Sequence, residues 1–181
     1  FTEQGEALFT HFGLSGPLVL SASTYIEDIT EHRYICEFDL KPALDEKTLY
    51  DRLTRDFAEQ GSHSAQGALA KLLPNSMRPV AVEKWGVDPA TKAAQITREQ
   101  KQALVDLCKH WQVPVSALGD KEHAVITAGG VDVREVDPKT MASKLCEGLY
   151  FAGEVLDVDA RTGGYNLQIA WATAQAAVRA L

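Results

Sequence analysis

The sequence predicts a mixed chain, α+β or α/β in class, and three observations carry that prediction. Arg33-Tyr-Ile-Cys-Glu-Phe-Asp-Leu40 is rich in β-favouring residues and stops at Pro42. From Ser64 to Leu118 the signals are mostly helical, with a change of element at each proline. Leu149 to Trp171 reads as short strand, tight turn, glycine-rich loop and helix. In that last stretch the apolar run Leu149–Ala152 stops at Gly153, where a residue without Cβ permits a sharp turn or a close approach to a ligand. Glu154, Asp157 and Asp159 follow, and Gly163 and Gly164 lead through Tyr165 and Asn166 into a helix. The first turn of such a helix offers unpaired N–H groups and the positive end of the dipole, which suits an electron-rich or anionic ligand atom.

Taken in order, the chain opens on Phe1 rather than Met, and Phe1 to Gly5 has no targeting character, so a piece of a longer protein is expected. Phe9-Thr-His-Phe-Gly-Leu-Ser-Gly-Pro17 predicts an extended segment ending in a turn. A helix follows, with Ser15 or Gly16 as N-cap, Pro17 at its first position, and Leu18, Val19, Ala22 and Ile26 on its buried face. Asp45 is placed to cap a helix running to about Gln60, in which Leu49, Leu53 and Phe57 recur every four residues and Gly61 supplies the stop. Ala68, Leu69, Leu72 and Leu73 form an apolar face before Pro74, and Val80, Val82 and Trp85 another before Gly86. Thr97-Arg-Glu-Gln100 has capping-box spacing and starts a helix with Leu104, Leu107, Cys108 and Trp111 on one stripe. Spacing of this kind assigns Trp85 and Trp111 to a core rather than to a ligand pocket. After Pro114 a strand is expected over Val113–Leu118, a turn at Gly119-Asp-Lys121, and a further strand over His123–Ala128 ending at Gly129-Gly130. Asp137-Pro138 marks another turn.

At 181 residues and 45% hydrophobic, the chain can bury one substantial core or two small ones. Its formal charge of −7 argues against an extended nucleic-acid surface, so a small-molecule substrate and no nucleic acid are expected. No apolar run approaches the roughly 18 to 20 residues that span a bilayer, so no membrane contact is expected either. Cys36, Cys108 and Cys146 are scattered without a CxxC pair, which points to reduced thiols in a cytoplasmic compartment, used for packing.

The acidic loop admits several chemistries. Asp157-x-Asp159-x-Arg161 begins like a calcium loop, but its sixth position is Thr162 rather than Gly and its twelfth is Gln168 rather than Glu. His63 and His110 have no partners at ligand spacing, so no metal is expected. No Gly-Lys-Ser/Thr phosphate loop and no Gly-x-Gly-x-x-Gly after a strand is present. Paired carboxylates could serve hydrolysis, yet turn formation explains Glu154, Asp157 and Asp159 equally well. What remains is a glycine-rich helix start beside hydrogen-bond acceptors, a signal for a polyhydroxylated or nucleotide-like cofactor. His11, beside a glycine-rich turn, is a candidate base, although a histidine hydrogen-bonded within a loop is the simpler reading.

Tyr150-Phe-Ala-Gly-Glu-Val-Leu-Asp-Val-Asp159 followed by Arg161-Thr-Gly-Gly-Tyr-Asn-Leu-Gln-Ile-Ala-Trp171 closely resembles the C-terminal signature of the BaiN-like (YhiN-type) NAD(P)/FAD-dependent oxidoreductases. Gly5-Glu-Ala-Leu-Phe-Thr-His-Phe-Gly-Leu-Ser-Gly-Pro17 resembles that family's internal motif, and Thr127-Ala-Gly-Gly-Val131 with Asp137-Pro-Lys-Thr-Met141 the run before its last strand. The resemblance implies a Rossmann-like FAD domain split by a β-rich insertion that itself carries a helical subdomain. On that anatomy 1–44 begins the β-rich insertion, 45–112 is the helical subdomain, 113–126 returns to the insertion, and 127–181 is the C-terminal strand, loop and helix of the FAD domain. The N-terminal FAD half, with its dinucleotide glycine motif, lies outside the chain on this reading.

Residue by residue, the resemblance places Gly153 and Glu154 beside the flavin ribityl and pyrophosphate, with Asp157 bonding cofactor hydroxyls. Gly163, Gly164, Tyr165, Asn166 and Leu167 would face the isoalloxazine, where a helix N-terminus stabilises the negative charge of the reduced ring. Gly129 and Gly130 would approach the flavin from the re-entering strand. Ala160 stands where the family usually has Gly, and Ala142 where Glu is common; a positive φ at position 160 would strain an alanine. The implied chemistry is hydride transfer from NAD(P)H through FAD to an organic acceptor or oxygen, with His11 and Arg161 as the catalytic candidates. Two classes stay open: a part of such a flavoenzyme, or a self-standing interaction module that kept its scaffold.

Overall fold

The computed structural model of the chain describes residues 1–120, 122, 124–126 and 128–181, which divide into two compact units. One comprises Phe1–Tyr34 and Ser116–Leu181, the other Ile35–Val115.

In the Ile35–Val115 unit the apolar periodicities become a core. Helix α2 (Glu46–Glu59) starts where Asp45, at φ −70°, accepts the Thr48 amide at 2.7 Å. Leu49, Leu53 and Phe57 then fall on one face and are 0–2% exposed. Ser64 caps the short α3 (Ala65–Ala68) by accepting the Gly67 amide, and α4 (Arg78–Trp85) ends at Gly86, whose φ of 75° is the left-handed C-cap. Helix α5 (Arg98–Lys109) carries the expected capping box: the Gln100 amide donates to Thr97 Oγ1 at 3.2 Å and the Thr97 amide to Gln100 Oε1 at 2.9 Å. Leu104, Val105 and Cys108 point from it into the core. Trp85 lies 6.1 Å from the Phe57 ring and donates its indole N–H to the Gln100 carbonyl at 2.6 Å, so it is satisfied core.

Two sequence readings shift in this unit. Val80 is 45% exposed while Ala81 and Val82 are buried. Residues 80 and 82 sit about 200° apart on a helix and cannot share a face. Trp111, placed by spacing on the α5 stripe, opens strand β4 (Trp111–Val115) after the helix ends at Lys109. The strand therefore begins two residues before the expected Val113, and it pairs with β3 (Tyr34–Phe38). Burial pushes the Cys108 thiol up to about 11, which leaves it an inert packing group.

His110, between α5 and β4, lies 3.0 Å from Glu37, which also accepts a hydrogen bond from Gln112 at 2.7 Å. The hydrogen bond to Glu37 raises the histidine above its ordinary value. A histidine raised on folding stabilises the fold fully below its unfolded pKa of about 6.5 and loses that contribution as pH climbs through the raised value. Glu37→Gln should return the His110 titration, followed by its ring proton shifts, towards 6.5. An unmoved titration would contradict the pairing.

In the other unit, β1 (Leu8–Phe9) and β2 (Leu14–Ser15) form an antiparallel hairpin, Leu8 opposite Ser15 and Phe9 opposite Leu14. Its tip is closed by the Thr10 amide donating to the Gly13 carbonyl at 2.8 Å. Helix α1 (Pro17–Ser23) follows, with Gly16 as N-cap and Pro17 at its first position. Leu18, Val19, Ala22 and Ile26 are only half-buried, and the buried residue of α1 is Ser21. A seven-residue helix beside a two-stranded ribbon is too small to cover an apolar stripe. Among the described residues the β segments are these two two-stranded ribbons, without a closed barrel.

The run Leu149–Ala152 is not a strand: Tyr150 makes one isolated antiparallel bridge with Ala142. Of the strand expected over His123–Ala128, His123 and Thr127 lie outside the described residues, as does Lys121 of the preceding turn. Ala124, Val125, Ile126 and Ala128 are not in a strand, and Val125 is 69% exposed. An apolar run becomes a strand only when a neighbouring backbone takes up its N–H and C=O groups. The longest element is α6 (Tyr165–Ala180). The buried residues of this unit's cluster are only Val136, Met141, Leu156 and Ala177. Of the large apolar side chains exposed among the described residues, Ile35 and Val80 alone belong to the other unit. No described helix is long and apolar enough to cross a membrane.

Candidate functional site

The glycine-rich loop is built by bonds that fix its two ends. Asn166, in the first turn of α6, uses both ends of its amide on Ala160: its Oδ1 accepts the Ala160 N–H at 2.7 Å and its Nδ2 donates to the Ala160 carbonyl at 2.8 Å. This closes residues 160–166 into a loop with Gly163 and Gly164 at its crown. Gly163 has φ 120° and Gly164 φ 91°, conformations that strain any residue with a Cβ. Ala160 is not among the positive-φ residues, so alanine is accommodated there without strain. The loop is held from the N-terminal segment as well. Arg161 pairs with Glu3 at 3.1 Å, and Thr162 Oγ1 lies 3.3 Å from Ser21 Oγ of α1.

The α6 N-terminus behind this loop is open. No side chain caps it, and a Cβ on Gly164 would meet nothing within 4 Å. The amides of its first turn have no intrahelical acceptor. Gly153, at φ 75°, opens a single 3-10 turn to Val155, and its N–H donates to Thr173 Oγ1 of α6 at 2.9 Å. Thr173 in turn donates to the Ile169 carbonyl at 2.7 Å. Thus the turn after residue 152 is fastened to the same helix that ends the glycine loop.

Gly129 and Gly130 meet the acidic loop. The Gly129 amide donates to Asp157 Oδ1 at 3.2 Å, and the Val131 amide to the Val155 carbonyl at 2.8 Å. Gly130 is needed for that crossing itself, since a Cβ there would lie 2.5 Å from the Val155 carbonyl oxygen. Asp157, Gly129 and Gly130 are therefore brought together by the fold. Glu154 and Asp159 are exposed.

His11 is exposed at the hairpin tip, its ring edge-on to Phe12 at 5.1 Å, with no bond to the glycine loop among the described residues. Arg161 is raised above its usual value first by a hydrogen bond with Tyr25 and then by Glu3, so its guanidinium is already engaged. No described group of three or more His, Cys, Asp or Glu could hold a metal ion. Cys36, Cys108 and Cys146 are all free thiols; Cys146 is exposed and does not serve the packing expected of it.

Sequence reading missed Thr173, Ser21 and Glu3, as well as Asn166 as the fastener of position 160. It also missed Met141, the one non-glycine described at positive φ, 58°. Met141 is held there because its N–H donates to Asp137 and its carbonyl accepts from Phe151, at 2.8 and 2.9 Å. With Val136, Leu156, Ile169 and Thr173 it lines an apolar cavity of about 220 Å³ beside α6.

Residues 1–126 match the family described as HI0933-like protein barrel and H2TH domain. The ribosomal RNA dihydrouridine synthase of Haemophilus influenzae is 35% identical over 171 residues, covering 94% of this chain and 41% of the relative. Its namesake in Escherichia coli is 34% identical over 96% of this chain and 42% of its own. The 3-dehydro-bile acid delta(4,6)-reductase of Clostridium scindens is 29% identical over 98% and 44%. The chain therefore spans less than half the length of these curated relatives.

Proposed function

The chain belongs to the HI0933-like protein family, and we propose that it supplies the flavin-facing loop and helix, with part of the substrate-side insertion, of a flavin-dependent NAD(P)H oxidoreductase. The observation that carries this reading is the uncapped start of α6 behind a glycine crown fastened by Asn166.

The residues present fit FAD. The space over Gly164 is free of other atoms where its Cβ would stand, and the amides of Tyr165, Asn166 and Leu167 are open to an electron-rich atom. When bound, FAD would supply hydride transfer between NAD(P)H and the acceptor. The α6 amides would stabilise negative charge arriving at the ring. Glu154 and the free oxygen of Asp157 would accept bonds from cofactor hydroxyls, while Gly129, Gly130 and Gly153 keep the surrounding backbone tight. Asn166 would act through the loop, because both ends of its amide are already used. Arg161 would hold the loop against Glu3 and Tyr25, which leaves His11 as the candidate proton donor. On this reading 1–44 and 113–126 belong to the insertion, 45–112 is its helical subdomain, and 127–181 returns to the FAD domain.

The names of the relatives share a chemistry. A dihydrouridine is a uracil ring saturated at a C=C bond conjugated to a carbonyl, and a delta(4,6)-reductase of a 3-oxo steroid saturates the same kind of bond. The proposed reaction is therefore reduction of an α,β-unsaturated carbonyl, hydride to the β-carbon and a proton to the α-carbon. Uracil in RNA is the first substrate reading, because two of the relatives described above carry that name. A small ring enone is the second, favoured by the charge of −7. The self-contained core of Ile35–Val115 favours the alternative of a non-catalytic interaction module. The test is to purify the protein joined to the polypeptide that completes its relatives, reduce it anaerobically with NADH or NADPH, and add uracil-containing RNA or a steroid dienone. The reading expects bound FAD, bleaching by one nicotinamide, and reoxidation by one acceptor. Protein that neither carries nor takes up FAD would end it.

A further inference from the structure

Helix α6 carries no Asp, Glu, Lys or Arg from Tyr165 to Val178, yet Ala177 is its only buried residue. Helices α2 and α5 of the other unit differ, with charged faces outward and apolar faces buried. A helix with no charged side chain over its first fourteen residues and with large apolar side chains exposed offers a surface suited to packing against protein rather than water. Its inner side is accounted for: Gly153 lies against Ala170, and Thr173 accepts the Gly153 amide. The outer side has a second regularity. Leu167, Trp171, Ala174, Val178 and the C-capping Leu181 are spaced four, three, four and three residues apart, the apolar stripe of a helix that packs against a neighbour. Leu167, Trp171, Val178 and Leu181 are 66, 75, 68 and 85% exposed.

The relatives extend well beyond the part this chain matches, by more than half of their length. We infer that the outer seam of α6 is a docking surface for an apolar-faced helix of the polypeptide that makes up that remaining length, and that it captures this partner even when supplied as a separate chain. The inference rests on the reading of this unit as half of a cofactor domain. Apolar side chains every three and four residues leave one continuous stripe along α6, and the ridges of a partner helix pack into the grooves of such a stripe. Ala174, the small residue within the seam, lets it approach closely. The Ile35–Val115 unit buries a cluster from Leu49 to Trp111 of its own and so does not need the partner for its core.

The test is to co-express this 181-residue chain with the part of the Haemophilus influenzae relative outside its matched 171 residues, and to purify through a tag on one of them. A one-to-one complex is expected, with tryptophan emission shifted to the blue. Trp85 and Trp111 are already buried, so within this chain the shift reports Trp171, and its loss in Trp171→Glu identifies it. Trp171→Glu and, independently, Val178→Glu should weaken the complex at least about tenfold, as loss of a central apolar anchor does. Val80→Glu, on the other unit, should leave it unchanged. Urea unfolding followed through Trp85 and Trp111 should be the same for all variants. Absence of a complex, a complex indifferent to both α6 variants, or a homodimer of this chain formed through the same seam would overturn the inference. FAD content separates the two claims: a colourless complex that depends on Trp171 keeps the docking and defeats the flavin reading, while a yellow complex indifferent to Trp171 does the reverse.

Discussion

Gly130→Val is expected to abolish the packing of residues 128–158 while leaving the Ile35–Val115 unit intact. Any Cβ at position 130 would sit 2.5 Å from the Val155 carbonyl oxygen and 2.9 Å from the Leu156 carbonyl carbon. Both are backbone atoms, which cannot swing aside as a side chain would. The φ of 145° adds backbone strain of about 1–3 kcal/mol for a residue with a Cβ. Relief of the clash parts the segment that holds two hydrogen bonds, Val131 N–H to Val155 at 2.8 Å and Asp157 N–H to Val131 at 2.9 Å. Each contributes about 1 kcal/mol. The cluster they support buries only Val136, Met141, Leu156 and Ala177, so little remains to resist. Hydrogen exchange should show the Val131 and Asp157 amides losing protection while Leu53 and Leu104 keep theirs. Retained protection at Val131 would contradict the crossing.

Phe57→Ala should destabilise the helical unit by about 3–5 kcal/mol, the range for removing a buried aromatic ring and leaving a cavity. Phe57 is 2% exposed, within the cluster that contains Leu49, Leu53 and Trp85, and its ring centre lies 6.1 Å from that of Trp85. Partial collapse of the surroundings decides where in the range the loss falls. Trp85 emission gives the readout in urea unfolding. A loss below about 1 kcal/mol would mean that α2 is not the keel of this core.

The two predictions differ because the units differ in how they were legible. Asp45, Thr97 and the four-residue recurrence of Leu49, Leu53 and Phe57 are local signals, and a helix forms from bonds between residues four apart. They were readable without any partner. Strands depend on a neighbour. The apolar run at Leu149–Ala152 looked like a strand and became an extended segment with one bridge, because its pairing is set by residues 142–143 and not by its own composition. The candidate site divides in the same way. Gly153, Gly163 and Gly164 were visible as glycines, and each occupies a positive φ. The pairs that hold the loop, Glu3 with Arg161 and Ser21 with Thr162, join residues more than a hundred positions apart and leave no local spacing to read. Asn166, a cofactor candidate by its place at the helix start, also fastens Ala160, a role that only the folded loop reveals.

That the open start of α6 faces a flavin is the central claim, and the glycine that opens it gives the most direct measurement. A valine at φ 91° is forced into the left-handed region, at a cost of about 1–2 kcal/mol, and its branches would occupy the space above the first-turn amides. FAD released per polypeptide should be compared between the intact protein and its Gly164→Val variant, with urea unfolding of the helical unit as control. Retention lowered by roughly tenfold or more, with the helical unit unchanged, is the predicted result. Equal flavin content in the two proteins would contradict it.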